Sequence, residues 1–208
     1  MKRTIYLIGN SQTMRKNIDY EKVYEAVQVK NEKVILSITG EERAKDLANL
    51  ACLKDVTKIY SSHYVRAIGT AKYLAVKNEL DIIVNENLGE RKIGILGNLD
   101  GMDFHQRQIK DFNYKLNGGE SLNQVKLRTI NFLNEILKET KAEVIAIFSH
   151  QTALTCLLAN WCEVGYSLDN KLVLSYKDEV IADENWEYPT VFEIKLNDLD
   201  VENIKKVN

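Results

Sequence analysis

Proline is almost missing from this chain: Pro189 is its single instance in 208 residues. That excludes a proline-rich linker between domains. Cysteine is scarce too. Cys52, Cys156 and Cys162 are odd in number and share no paired spacing, so they make neither a disulfide framework nor a zinc cluster. They read as reduced thiols of a cytoplasmic protein, used mainly in packing. Nor is one sign of charge in excess, since 28 Lys and Arg face 30 Asp and Glu for a formal charge of −2. Nucleic acid is therefore not an expected partner. The opening MKRTIYLIGNS has only four apolar residues before Gly9, too few for a signal peptide or membrane anchor. No His and carboxylate set is spaced to hold a metal, and no cofactor is expected. Repeats and low-complexity stretches are absent as well.

What remains is 45% hydrophobic, enough to bury a core as one domain over residues 1–208. Short apolar runs at 5–8, 56–60, 82–84, 144–148 and 191–196 alternate with helical patterns. This alternation predicts a three-layer α/β/α fold: a mostly parallel central sheet with helices on both faces. TGEERAKDLANLACLK has the marks of a capping box, Thr39 with Glu42, followed by an apolar face of Ala44, Leu47 and Ala51. A second helix is expected in RAIGTAKYLAV, on Ile68, Ala71, Leu74 and Ala75. SLNQVKLRTINFLNEILKET is the clearest helix. Ser121 and Gln124 suit its capping box, and Leu122, Val125, Ile130, Leu133 and Leu137 form its buried stripe. Residues 94–119 are polar, glycine-flanked and poorly periodic, and read as a small insertion over the C-terminal edge of the sheet. Residues 171–186 read as a strand and a turn before the last strand.

Three apolar runs end in polar loops: GNSQT after residues 5–8, SSHYVR after 58–60, and SHQT after 144–148. In an open parallel sheet such loops converge at the carboxyl edge, where ligands bind. Arg66 is then expected at the start of its helix and His150 directly after its strand. Both helix N-termini bring N–H groups and positive dipole ends to that space. An Arg, a His and helix N-termini around one cleft favour an anion, phosphate first of all. Judged singly, each residue has a plainer use. Arg66 suits a surface ion pair, His150 a satisfied structural group, and Glu90 and Glu120 solvated or capping carboxylates.

The same residues carry a family resemblance. YSSHYVRAIGTA resembles the Tyr-Ser-Ser…Arg-Ala…Thr-Ala segment of the histidine phosphatase superfamily, the phosphoglycerate-mutase-like proteins. NLGERKIGILG is similar to that family's Leu-x-Glu…Gly…Gly stretch, GGES to its Gly-Glu-Ser helix start, and VIAIFSHQTAL to the strand that delivers its second histidine. With IYLIGNSQT, five segments stand in the family's order over almost the whole chain. In that family the first strand ends in Arg-His-Gly-Glu/Gln-Thr, and the His attacks phosphorus. Two Arg and a second His hold the phosphoryl oxygens, and a carboxylic acid protonates the leaving group.

The resemblance places Gly9 at the first Arg and Asn10 at the nucleophile, with Ser11 at the Gly position. Arg66, Glu90 and His150 match the second Arg, the acid and the second His. Gln12 and Thr13 fit the pattern, and Lys16 falls where many members have Asn, with Asn17 one step late. The implied phosphate-binding set is Arg66, His150, Asn10, Gln12, Thr13 and Lys16, and the remnant catalytic pair is Glu90 and His150. Asn10 is not expected to react, because its amide nitrogen is delocalised into the carbonyl and makes no useful nucleophile. Gly9 removes a guanidinium whose charge-assisted bonds contribute about 1.5–3 kcal/mol each. Lys16 restores charge without the planar fork. Ser11 reads as a turn residue that caps the following helix, rather than as a nucleophile with His150 as base.

Three readings of function stand beside one another. The first is a catalytically impaired or inactive member that binds a phosphorylated or anionic small molecule. The second is a phosphoric monoester hydrolase with an altered mechanism. The third is a non-catalytic interaction module.

Overall fold

A computed structural model describes residues 1–14 and 24–208; Lys16 and Asn17 lie outside them. The strands in chain order are β1 (Lys2–Gly9), β2 (Lys58–Ser61), β3 (Ile82–Val84), β4 (Val144–Ser149), β5 (Glu163–Tyr166), β6 (Leu172–Tyr176), β7 (Glu179–Ala182), β8 (Val191–Asn197) and β9 (Asp200–Lys206). Six of them form one sheet in the order β3-β2-β4-β1-β8-β9. Its first four are mutually parallel, while β8 pairs antiparallel with β1 and β9 antiparallel with β8. The expected α/β sheet is therefore present, with an antiparallel edge on one side.

β1 and β4 lie in the middle of that sheet and are apolar on both faces, as strands covered on both sides must be. Alternation sorts their side chains. Ile5, Leu7, Ile145 and Ile147 enter one cluster, with Val125, Leu133 and Leu154. Tyr6, Ile8, Ala146 and Phe148 enter the other, with Leu47, Ala71 and Leu74. The helices are α1 (Tyr24–Glu32), α2 (Ile38–Ala48), α3 (Val65–Asn78), α4 (Gly101–Lys110), α5 (Leu122–Glu139) and α6 (Gln151–Leu158), and α2, α3, α5 and α6 supply those partners. Thus α5 and α6 cover one face, and α2 and α3 the other. No described helix is long and apolar enough to cross a membrane.

α5 starts on the expected capping box of Ser121 and Gln124. Of its predicted stripe, Leu122, Val125, Leu133 and Leu137 are buried and Ile130 is half-buried. Phe132 and Ile136 widen that stripe. The cap predicted for α2 is displaced. Ser37, not Thr39, is the N-cap, its hydroxyl accepting Gly40 N at 3.0 Å. The reason is tertiary: Leu36 forms an isolated antiparallel bridge with Thr13, so extended chain gives way to helix right after it. Gly40 then lies so close to the Gln12 carbonyl that a Cβ there would come within 1.9 Å of the oxygen.

Residues 94–119 contain α4, a helix that the polar sequence hid. Asp100 caps it by accepting Met102 N at 2.7 Å, and Phe104, Gln108 and Ile109 form its buried face. Gln108 masks the pattern because a polar residue occupies a core position. Its amide bonds Arg91 and the carbonyls of Tyr114 and Glu120. Residues 171–186 hold two strands rather than one. With β5 they make a separate three-stranded antiparallel sheet, β5-β6-β7. The strand β5 was unreadable because all four of its residues are exposed.

Candidate functional site

The register of the parallel strands aligns their ends. Gly9 pairs with Ser149, and Ser61 with Phe148. The next residues, Asn10, His150 and Ser62, therefore emerge side by side. Asn10 N donates to Ser149 O at 2.9 Å, and Ser62 N to Phe148 O at 2.8 Å. Their side chains meet as well. His150 Nδ1 lies 2.9 Å from Asn10 Oδ1, and His150 Nε2 lies 2.8 Å from Ser62 Oγ. Because Asn10 Nδ2 donates to Ser11 O at 2.9 Å, its Oδ1 is the acceptor and His150 Nδ1 carries the proton. Ser62 O–H then donates to Nε2 while its oxygen accepts Tyr64 N at 3.2 Å. Burial first, then the charges of Arg66, His63 and Arg128, hold the imidazole pKa well below 6.5.

Arg66 stands in the first turn of α3, as expected. Its guanidinium donates to Asn31 O at 2.7 Å and rests 4.6 Å from the centroid of the Tyr64 ring. That ring is itself 4.6 Å from His150. Tyr64 is wholly buried, its hydroxyl accepts Gln28 Nε2 at 2.6 Å, and burial raises its pKa. The corner is nearly closed to solvent. Asn10 is 7% exposed, Arg66 8% and His150 1%.

Glu90 also meets this edge, through the N-terminus of α6. Its Oε1 accepts Arg91 N at 2.7 Å and Ala153 N at 3.2 Å, and its Oε2 accepts Thr152 N at 3.3 Å. The place at α6 that an outside anion would take is thus held by the chain's own carboxylate. Glu120, by contrast, is committed to Arg128 at 2.8 Å.

Two sequence expectations change. Ser11 caps no described helix. It is wholly buried, its N–H donates to Thr70 Oγ1 at 2.9 Å, and its hydroxyl has no hydrogen-bond partner among the described residues. Tertiary pairing explains this, because the chain beyond it joins the 36–37 segment. Ser37 N donates to Gln12 O at 3.0 Å, and Thr13 bridges Leu36. The hydroxyl beside His150 is Ser62 instead. Ser62 and Tyr64 were visible in SSHYVR, directly after a strand, but their polarity and size carried no unique signal.

Trp186 was hidden altogether. A Cβ at Gly9 would lie 3.1 and 3.3 Å from two of its ring carbons, so the indole occupies the space beside the missing arginine. The three cysteines are unpaired. Burial pushes the Cys156 and Cys162 thiols up to about 12. Among the described residues, no three of His, Cys, Asp or Glu gather to hold a metal.

This geometry has a chemical consequence. Asn10 offers amide donors and acceptors but no free lone pair on nitrogen. The remaining ring lone pair, on His150 Nε2, is directed at Ser62.

Residues 21–179, about three quarters of the chain, match the family model "Histidine phosphatase superfamily (branch 1)". The matched span starts downstream of Gly9 and Asn10. No curated protein matches by sequence. Among solved structures, a protein described as mycobacterial hydrolase 1 is similar at 17% identity and a TM-score of 0.70, covering 100% of this chain and 98% of its own. The mycobacterial glucosyl-3-phosphoglycerate phosphatase has 17% identity, a TM-score of 0.68 and coverage of 98% and 95%. A phosphoglycerate mutase from Bacillus anthracis has 16% identity, a TM-score of 0.66 and coverage of 99% and 92%.

Proposed function

We propose a function from one premise: the chain belongs to branch 1 of the histidine phosphatase superfamily. It binds a phosphorylated or otherwise anionic small molecule at the corner of Asn10, Arg66 and His150, and it forms no phosphohistidine. Asn10 carries this reading. It stands at the strand end where the family places its nucleophile, and its amide is held between His150 and the Ser11 carbonyl. Arg66, Gln12, Thr13 and Lys16 complete the binding set, with Arg66 as the forked donor. The mycobacterial phosphatase of similar fold has been solved with inorganic phosphate and with VO3, which supports an anion as the guest. The unpaired thiols fit a cytoplasmic setting.

Calorimetry with inorganic phosphate, vanadate and a panel of sugar phosphates and phosphoglycerates tests the binding half. At least one should give heat that Arg66→Ala abolishes. Silence from all of them, unchanged in Arg66→Ala, refutes it. An aryl phosphate tests the catalytic half, where turnover above that of His150→Ala would overturn the loss of catalysis.

The near closure of the corner favours a second reading, the non-catalytic interaction module. There Asn10, Arg66 and His150 serve as an internal scaffold, and Arg66→Ala lowers stability with no ligand effect to lose.

A further inference from the structure

We propose that the cleft between α4, α6 and the β6–β7 strands binds an amphiphilic amine, an alkyl or aryl body with one cationic head. The cleft adjoins the corner through Gln151 and Thr152, the two residues after His150, but Asn10, Arg66 and His150 do not line it. Its volume is about 280 Å³, which accommodates a body of roughly ten heavy atoms by comparison with the ~30 Å³ filled by a water. Ile109 and Leu122 form one wall, Cys156 of α6 another, and Leu172 and Leu174 of β6 a third. Such walls reject a fully polar guest and favour burial of an apolar body.

One end of the cleft sets the sign of the head group. The acidic and imidazole groups in the lining are His105, Asp183 and Glu184, and no described Lys or Arg lines the cleft. Glu184 Oε1 lies 3.0 Å from His105 Nε2 and accepts Leu172 N at 2.9 Å, tying α4 to β6. The Asp183 carboxylate accepts Asn185 backbone N at 2.9 Å and the Asn185 amide at 3.3 Å. Two carboxylates against one imidazole leave this end net negative. It attracts an ammonium and repels a carboxylate. Gln151 keeps the end rigid, donating to Glu184 O at 3.0 Å and accepting from Tyr188 O–H at 2.6 Å.

Three probes of one skeleton test this on the full chain at pH 7.5: 4-phenylbutylamine, 4-phenylbutanol and 4-phenylbutyrate, titrated by calorimetry and by NMR. The amine should bind at least tenfold tighter than the carboxylate, with the alcohol between them. The Asp183→Asn, Glu184→Gln pair should bring the amine down to the level of the alcohol. Thr155→Trp, a half-buried lining position, should fill the cleft and remove binding of all three while circular dichroism shows native helix content. Absence of saturable amine binding to the wild type overturns the proposal. So does carboxylate binding as tight as that of the amine, or unchanged amine affinity in the carboxamide pair. The wild-type series decides even where a variant misfolds.

Discussion

Two places on the first turn of α6 behave in opposite ways. The corner at the ends of β1, β2 and β4 holds the residues that resemble a phosphate site, and the chain satisfies them itself. Asn10 and Ser62 take both nitrogens of His150, Asn31 takes the Arg66 guanidinium, and the helix N–H groups take Glu90. The cleft under α4 holds none of Asn10, Arg66 or His150, although Gln151 and Thr152 of VIAIFSHQTAL line it, and it encloses about 280 Å³ with Asp183 and Glu184 in its lining. An anion at the corner must exchange bonds that neighbours already make, whereas a guest in the cleft need not.

The strongest way to break this comparison is to remove His150. If its work is structural, His150→Ala strands Asn10 Oδ1 and Ser62 Oγ in a buried site and deletes a ring packed on Tyr64. Urea unfolding at pH 7.5 should then report a loss of about 3–5 kcal/mol. The pH dependence gives a second signature. Because the folded-state pKa of His150 is depressed, its contribution is fully present above 6.5, the unfolded value, and is lost as pH falls below it. The wild type should lose about 1.4 kcal/mol per pH unit there from this group, an increment missing in the variant. A variant of native stability and identical pH profile would mean that His150 is not part of the scaffold.

A middle-sized effect is expected on the opposite side of the corner. Gly9→Arg must push Trp186, which is buried and tilted against Phe192 with ring centroids 5.1 Å apart. Overpacking of this kind costs about 1–3 kcal/mol. The double change Gly9→Arg, Asn10→His should stay inactive toward an aryl phosphate for the same reason. Adding Trp186→Ala should open the space and produce measurable turnover. Activity in the double variant at wild-type stability would show that the indole blocks nothing.

The sequence made the sheet legible wherever burial on both faces wrote a continuous apolar run, as at 5–8 and 144–148. His150 falls directly after β4, where a residue has little freedom, and Arg66 falls in the first turn of α3, both as the sequence pattern predicts. Features set by distant partners were not readable. Trp186 reaches Gly9 from 177 positions away, Gln108 disguises a helix by sitting polar in a core, and Ser37 replaces Thr39 as a cap because Leu36 pairs with Thr13. The motif identified the candidate residues. Only the bonds they make separate a waiting site from a closed one.

The smallest effect sharpens that separation most. Glu90→Gln keeps an acceptor at the N-terminus of α6 but removes the charge that meets the helix dipole, at a cost of about 0.5–1 kcal/mol. Glu90→Ala goes further and frees Thr152 N and Ala153 N, two donors now used internally. If the carboxylate occupies the place of a phosphate oxygen, this variant should bind inorganic phosphate severalfold tighter than the wild type, measured by calorimetry at low ionic strength. If Glu90 instead waits as an acid for a leaving group, its removal should leave phosphate affinity unchanged or weaker. The two outcomes differ in sign, so a change of a few tenths of a kcal/mol in stability does not obscure them. An increase would identify the Glu90 carboxylate as the corner's own tenant.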